Sequence, residues 1–321
     1  WIFLINVPIG IFIVIAGLYV LGAVEGQRVP LDIWGAILAT LGSTALVLGL
    51  TSAGKGASNP VFIVAMLVGI ASLGAFFITQ KHTENGVLPL SLFTRRDRVF
   101  TFIAIFLLGA IMTTVAVFVA LYVQTILKYT TLRAGLAFIP FAFALALGAA
   151  TASKISMKWA PRWIILAGCI FMVIGFGWGT AISEESTFWA DIFPPTLIIG
   201  YGVGLVSIAL TLSAVAGVKP IDVGPLTAIS LVAQTLGGPI GLAFAGALAQ
   251  SYTRHHGGAD ISVTEMNSVQ LHALGEGYLL TLFVCLGLAV VMGILSALFI
   301  RFTVPDVVEG QKANEAANDL P

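Results

Sequence analysis

The stretch VFTFIAIFLLGAIMTTVAVFVALYV, residues 99–123, decides the fold. It runs 25 residues without an Asp, Glu, Lys, Arg or His. At about 1.5 Å per residue, a helix of that length crosses a hydrocarbon core roughly 30 Å thick. An open strand there would leave backbone N–H and C=O groups in lipid with no partner. The alternation of a transmembrane barrel strand is also absent. The segment reads as a membrane-spanning helix.

Outward from it, eight more stretches read the same way: 1–20, 32–51, 60–80, 134–152, 163–182, 192–215, 223–249 and 279–301. Asp32, Asp191 and Asp222 fall at or just outside span ends, where the interface tolerates charge. The composition agrees, at 58% hydrophobic and 9% charged, with mean hydropathy +1.03. Soluble domains carry about 25% charged residues. The fold class is therefore an all-α integral membrane protein of about nine transmembrane helices. Its 35 glycines suit close helix–helix approach.

Fifteen Lys and Arg balance fifteen Asp and Glu. No basic field is present to attract nucleic acid. Cys169 and Cys285 each lie in mid-span and read as small packing residues rather than a disulfide or metal site. No cofactor and no metal site is expected. Orientation follows from the loops: Arg28, Lys81, Arg95, Arg96, Arg98, Lys154, Lys158, Arg162, Lys219, Arg301 and Lys312 share one side. Lys55, Lys128, Arg133 and Arg254 share the other. The positive-inside rule makes the first side cytoplasmic, with the C-terminal tail on it. Trp1 then starts outside without an initiator Met or signal, so an odd number of spans is expected upstream.

Several motifs carry a family resemblance. WIFLINVPIG (1–10), LPLSLFTRRDR (88–98), LYVQTILKYTTLRAGLAFIPF (121–141), LTLSAVAGV (210–218), VGPLTAISLVAQTLGGPIGLA (223–243) and VQLHALGEGY (269–278) occur in order. Together they resemble the sixth, ninth, tenth, twelfth and thirteenth spans of the fourteen-span drug:proton antiporters of the major facilitator superfamily. Within that family, the last segments look most like EfpA-type efflux pumps. The resemblance implies a C-terminal portion of that fold, with five spans missing upstream. Residues 1–24 would be the last span of the N-terminal bundle, and 25–80 two inserted spans. Residues 81–98 would form a cytoplasmic interfacial segment, 99–302 the C-terminal six-helix bundle, and 303–321 a cytoplasmic tail. KISMKWAPR (154–162) would be the counterpart of the family's basic loop, but its Gly and Asp are missing. The proton-titrating acid and the antiporter motif would lie upstream.

The resemblance makes the spans at 99–123, 134–152, 192–215 and 223–249 cavity-facing. Candidates for substrate orientation are Thr113, Thr114, Gln124, Ser207, Thr211 and Gln234, with Phe118 and Tyr201 as lining aromatics. The alternative is that Ser and Thr bond their own helix carbonyls, while Gln bridges helices and aromatics pack. Phe138 and Phe141 carry the same two readings. Gly175 with Gly179, Gly200 with Gly204, and Gly237 with Gly241 have the four-residue spacing of close-packed helices. Pro239, after Gly237 and Gly238, marks either a hinge or simple close packing. GYGVGL (201–205 with Gly200) lacks the strand context of a dinucleotide loop.

Two loops stand out. Residues 88–93, with Arg95, Arg96 and Arg98 behind them, read as interfacial, near anionic headgroups. In the outer loop, Ser262 and Glu265 match a capping box for a short helix over 263–274. His255, His256 and His272 lie around it as loop histidines with no matching metal-ligand pattern.

Three functional classes compete. The first is proton-coupled efflux of hydrophobic drugs or lipids from the plasma membrane, with proton coupling implied by the family alone. A flippase-like exporter without antiport is its variant. A membrane enzyme would need paired carboxylates, a nucleophile with a base, or HExxH; the spans show none. An inactive fragment or non-transporting subunit is the third.

Overall fold

The computed structural model describes residues 4, 6–20, 32–52, 59–82, 95–181, 188–257 and 266–318, and every regular element among them is helical. In chain order these are α1 (Asn6–Val20), α2 (Ile33–Ser52), α3 (Pro60–His82), α4 (Arg96–Thr125), α5 (Thr131–Ala137), α6 (Ile139–Ile155) and α7 (Pro161–Gly179). A π-helical turn, Phe188–Ile192, leads into α8 (Phe193–Ala214). There follow α9 (Pro220–His255), α10 (Ser268–Phe299) and α11 (Val304–Asn318). Seven helical segments among the described residues are long and apolar enough to cross a membrane. The apolar parts of α1 and α2 are shorter, Asn6–Tyr19 and Ile33–Gly49. The protein is a multi-pass membrane protein.

Two expected elements differ. The span expected at 134–152 is present within the apolar stretch Thr131–Ile155, but a break at Phe138 divides it into α5, ending at Ala137, and α6, beginning at Ile139. Pro140 sits in the first turn of α6, where its missing N–H costs nothing, and its ring opposes a helix continued from before it. Likewise, among the described residues no separate short helix precedes the last span. α10 begins at Ser268 and runs unbroken to Phe299. Its start is a capping box built by Asn267 and Gln270, whose two hydrogen bonds are both 2.9 Å. Gly275 and Gly277 do not interrupt it, because neighbours fill the space beside them: Ile126 at Gly275, and Ala249 with Thr253 at Gly277. The residues expected to cap the shorter helix, Ser262 and Glu265, lie outside the described residues, as do residues 88–93 and Lys55.

α8 is the most enclosed helix, packed between α6 and α7 and touching α4. α4 pairs with α9, and α10 closes against α4, α7 and α9. The shared core holds Leu108, Ile111, Met172, Phe176, Val206 and Met292. Cys169 and Cys285 are free and buried in it. Lipid chains are as apolar as leucine, so water exclusion does not hold these helices to one another; shape-matched packing does. α2 and α3 form a separate antiparallel pair that reaches the rest through α2 and α9. Asp32 caps α2, accepting from the Gly35 amide at 2.8 Å, and its other oxygen accepts from Gln80 on α3. α1 is largely uncovered, with Tyr19 88% exposed.

The basic end of the bundle is tied by its loops. Arg98, 3% exposed, donates from Nη2 to the Ala216 carbonyl at 3.1 Å. Gly217 turns the chain between α8 and α9 at φ +62°, a left-handed value that side chains resist. Its amide donates to the Asp306 carbonyl of α11 at 2.9 Å. Residues 303–321, expected as a tail, thus include a docked helix, with Val307 and Ala313 buried.

Candidate functional site

The residues singled out from sequence fall on two helix seams, in the buried interior and on exposed helix faces. The first seam joins α4 and α9. A Cβ on Gly237 would collide with the Phe106 carbonyl, one on Gly241 with Ala110, and one on Gly238 would lie 2.5 Å from Thr113 Oγ1. Reciprocally, a Cβ on Gly109 would collide with the Gln234 carbonyl. Thr113, Gln234, Gly237, Gly238 and Gly241 are therefore brought together, with Gln234 half-buried. Pro239 lies within the same seam, and α9 continues through it as it does through Pro225.

The second seam joins α8 to α6 and α7. A Cβ on Gly200 would lie 2.6 Å from the Phe141 carbonyl oxygen, and one on Gly204 would collide with the Leu145 carbonyl and crowd the Gly148 Cα. Gly148 in turn lies against the Tyr201 carbonyl. The Tyr201 ring stands edge-on to Phe171, with centroids 5.2 Å apart. Gly175 faces Ile199 and Pro195 of α8, whereas its partner by spacing, Gly179, faces Leu282 of α10. Gly109, Gly148, Gly168 and Gly202 serve these seams equally, although no four-residue pair flagged them.

The remaining candidates separate. Thr114 points inward, 1% exposed, and its hydroxyl takes no hydrogen bond among the described residues. Phe118 is buried against Ala245 and Ala249, and its ring lies 5.8 Å from Tyr278. Phe118, Tyr122, Ile192, Tyr278 and Thr281 help to line a cavity of about 30 Å³. That volume holds a water but not a drug, whose pockets run roughly 300–1,000 Å³. Gln124 and Thr211 are exposed. Thr211 donates to the Ser207 carbonyl at 2.9 Å, the self-satisfied arrangement of a helical threonine. Ser207 itself is half-buried.

A wider apolar recess of about 620 Å³ runs along one face of α2, from Asp32 through Ala36 and Thr40 to Thr44. Sequence reading assigned it nothing, although its i, i+4 spacing was visible. Of the loop histidines, His256 stacks on Tyr252 at 4.0 Å, and its Nδ1 lies 2.9 Å from the Tyr252 carbonyl. No group of three His, Cys, Asp or Glu among the described residues is placed to hold a metal.

The chain is 38% identical over 318 residues to the MFS-type transporter EfpA of Mycobacterium tuberculosis, covering 98% of this chain and 60% of that protein. It is 31% identical over 246 residues to the cephamycin export protein CmcT of Amycolatopsis lactamdurans, covering 75% of this chain and 51% of that one. To the multidrug export protein EmrB of Haemophilus influenzae it is 28% identical over 254 residues, covering 75% and 48%. The chain thus spans about half to three-fifths of the length of these relatives. No family model matches it. Among solved structures, a bacterial homologue of the human lysosomal transporter Spinster, inward-facing and occupied, superposes with TM-score 0.55 at 16% identity, covering 85% of this chain and 67% of that one. That likeness concerns the fold alone. With its spans, its helix packing and these relatives in agreement, the chain belongs to the major facilitator superfamily of membrane transporters.

Proposed function

We propose that this chain is part of a proton-coupled exporter of hydrophobic drugs or lipids, working by alternating access in the plasma membrane. The likeness to EfpA along 98% of the chain carries the reading, and relatives named as exporters supply the direction of transport. In this arrangement residues 99–302 form one six-helix bundle, and 25–80 are spans inserted before it. Residues 1–24 end the opposing bundle, and 303–321 lie in the cytoplasm. Transporters of this kind rock two such halves about a midplane site.

The uncovered faces of α4, α6 and α9 carry Leu121, Phe143, Leu147, Leu231 and Val232. Gln124 and Thr211 are polar but uncharged groups on the exposed surface of α4 and α8. Walls of that kind suit an apolar solute, because a charged one would need an ionised partner that these spans do not offer. Thr113 and Gln234 would orient the substrate beside the α4–α9 seam. No residue of these spans is assigned the proton.

The test is efflux of a neutral lipophilic dye from cells expressing the whole protein. Expressing cells should clear dye several-fold faster than controls, and a protonophore should abolish the difference. Clearance that survives the protonophore removes proton coupling and leaves a flippase-like exporter. Equal clearance with and without the protein leaves a non-transporting membrane subunit.

A further inference from the structure

The turn between α6 and α7 gathers three cations and two tryptophans where both helices leave the apolar layer. Lys154 and Lys158 are exposed. Trp159 and Trp163 are 60% and 51% exposed, with Met157 uncovered beside them. The Arg162 guanidinium carbon lies 5.2 Å from the centre of the Trp163 ring. Its Nε is buried yet takes no hydrogen bond among the described residues. None of the three cations makes an ion pair among those residues, and the sequence holds no Asp or Glu between Asp97 and Glu184.

Uncovered tryptophans would be costly in water, and uncovered cations would be costly in hydrocarbon. The headgroup layer suits both, since indole rings settle at that depth and Lys and Arg there attract anionic lipid. We propose that this turn binds the headgroup phosphate of anionic phospholipid, with Lys154, Lys158 and Arg162 supplying charge and Trp159 and Trp163 lying between the acyl chains. Charge complementarity selects this occupant. The patch has no carboxylate in its own chain segment to neutralise it, and the surrounding membrane supplies anionic phosphate at that depth. The Arg162 guanidinium lies over the Trp163 ring, and its N–H donors would meet a phosphate there. Arginine's planar fork suits phosphate oxygens.

The protein purified in neutral detergent, titrated with phosphatidylglycerol or phosphatidylcholine and read by native mass spectrometry, provides the test. Wild type should retain phosphatidylglycerol in preference. Lys154→Gln/Lys158→Gln/Arg162→Gln should bind it roughly a hundredfold more weakly, at about a factor of five per cation. A second readout does not depend on that variant folding. Brominated phosphatidylglycerol should quench wild-type tryptophan emission more than brominated phosphatidylcholine does, and Trp159→Phe/Trp163→Phe should remove the excess. Millimolar inorganic phosphate should not displace the lipid. Equal affinity of wild type for the two lipids, an excess that survives Trp159→Phe/Trp163→Phe, or full displacement by phosphate would each overturn the proposal.

Discussion

Gly168 on α7 and Gly202 on α8 each occupy the space that the other's side chain would need. A Cβ on Gly168 would lie 2.7 Å from the Gly202 carbonyl oxygen, and one on Gly202 would lie 2.6 Å from the Gly168 carbonyl oxygen. Both carbonyls belong to helical backbone and cannot swing aside. The two axes approach as they do because neither position carries a side chain.

The first prediction follows from that contact. Gly202→Ala should destabilise by about 1–3 kcal/mol through overpacking, more than the roughly 1 kcal/mol that alanine adds to helix propensity. Gly287→Ala on α10, where no atom lies within 4 Å of the new Cβ, should be neutral or slightly stabilising. Thermal unfolding in detergent compares them, and equal melting temperatures would refute this account of the seam.

Asp306 ties α11 to its own start. The Thr303 amide and hydroxyl both donate to its Oδ2, at 2.8 and 2.7 Å. These bonds, the amide first, and then the Arg95 charge, hold its carboxyl below the usual 3.8. Folding lowers this pKa, so the contribution is complete above the ordinary carboxylate value and fades as pH falls through the lower, folded one. Asp306→Ala should weaken the start of α11 by about 1 kcal/mol, the typical worth of a cap. Limited proteolysis of α11 should then be faster at neutral pH and no longer accelerate below about pH 4. Unchanged proteolysis would remove Asp306 from the clamp.

At the other end, Asn267→Ala removes one arm of the capping box on α10, at a cost of about 1 kcal/mol. Amide exchange should quicken in the first turn, from Ser268 to Leu271, and stay slow around Cys285. Rapid exchange along the whole helix would mean that the first three turns hold the rest in place.

Transport should separate two polar candidates. Gln234→Leu, in the α4–α9 seam, should slow export by several-fold in the whole protein with normal membrane abundance. Thr211→Val should have little effect, because its hydroxyl is already bonded to the Ser207 carbonyl. Equal losses in the two variants would disconnect the seam from substrate handling.

Much of the fold was legible because lipid imposes a one-dimensional rule. Residues 99–123 needed no neighbour to be read as a span, since length and hydropathy alone satisfy the bilayer. Local chemistry was less legible. Pro140 announced the break between α5 and α6, but continuous hydropathy across it hid the signal. The cap of α10 was not singled out, although Asn267 with Gln270 fits the capping-box pattern. The docking of α11 could not be read at all, because it depends on the Gly217 turn meeting Asp306 across some ninety residues of chain.

For the candidate site the division is sharper. Four-residue glycine spacing picked out Gly200, Gly204, Gly237 and Gly241, beside which a neighbouring helix lies too close for a side chain, yet it missed Gly168 and Gly202, which have no such partner within their own helices. Hydroxyl and amide side chains looked alike in sequence. The packed helices separated them into buried Thr114, seam-side Thr113 and Gln234, and exposed Gln124 and Thr211. The sequence by itself determined that the chain is helical, apolar and membrane-spanning, because each span satisfies its own backbone hydrogen bonds and its own solvent. Only the tertiary structure decided which faces meet. That choice rests on carbonyl-to-glycine fits of a few ångströms between helices distant in the chain, and no periodicity within one helix encodes its partner's surface.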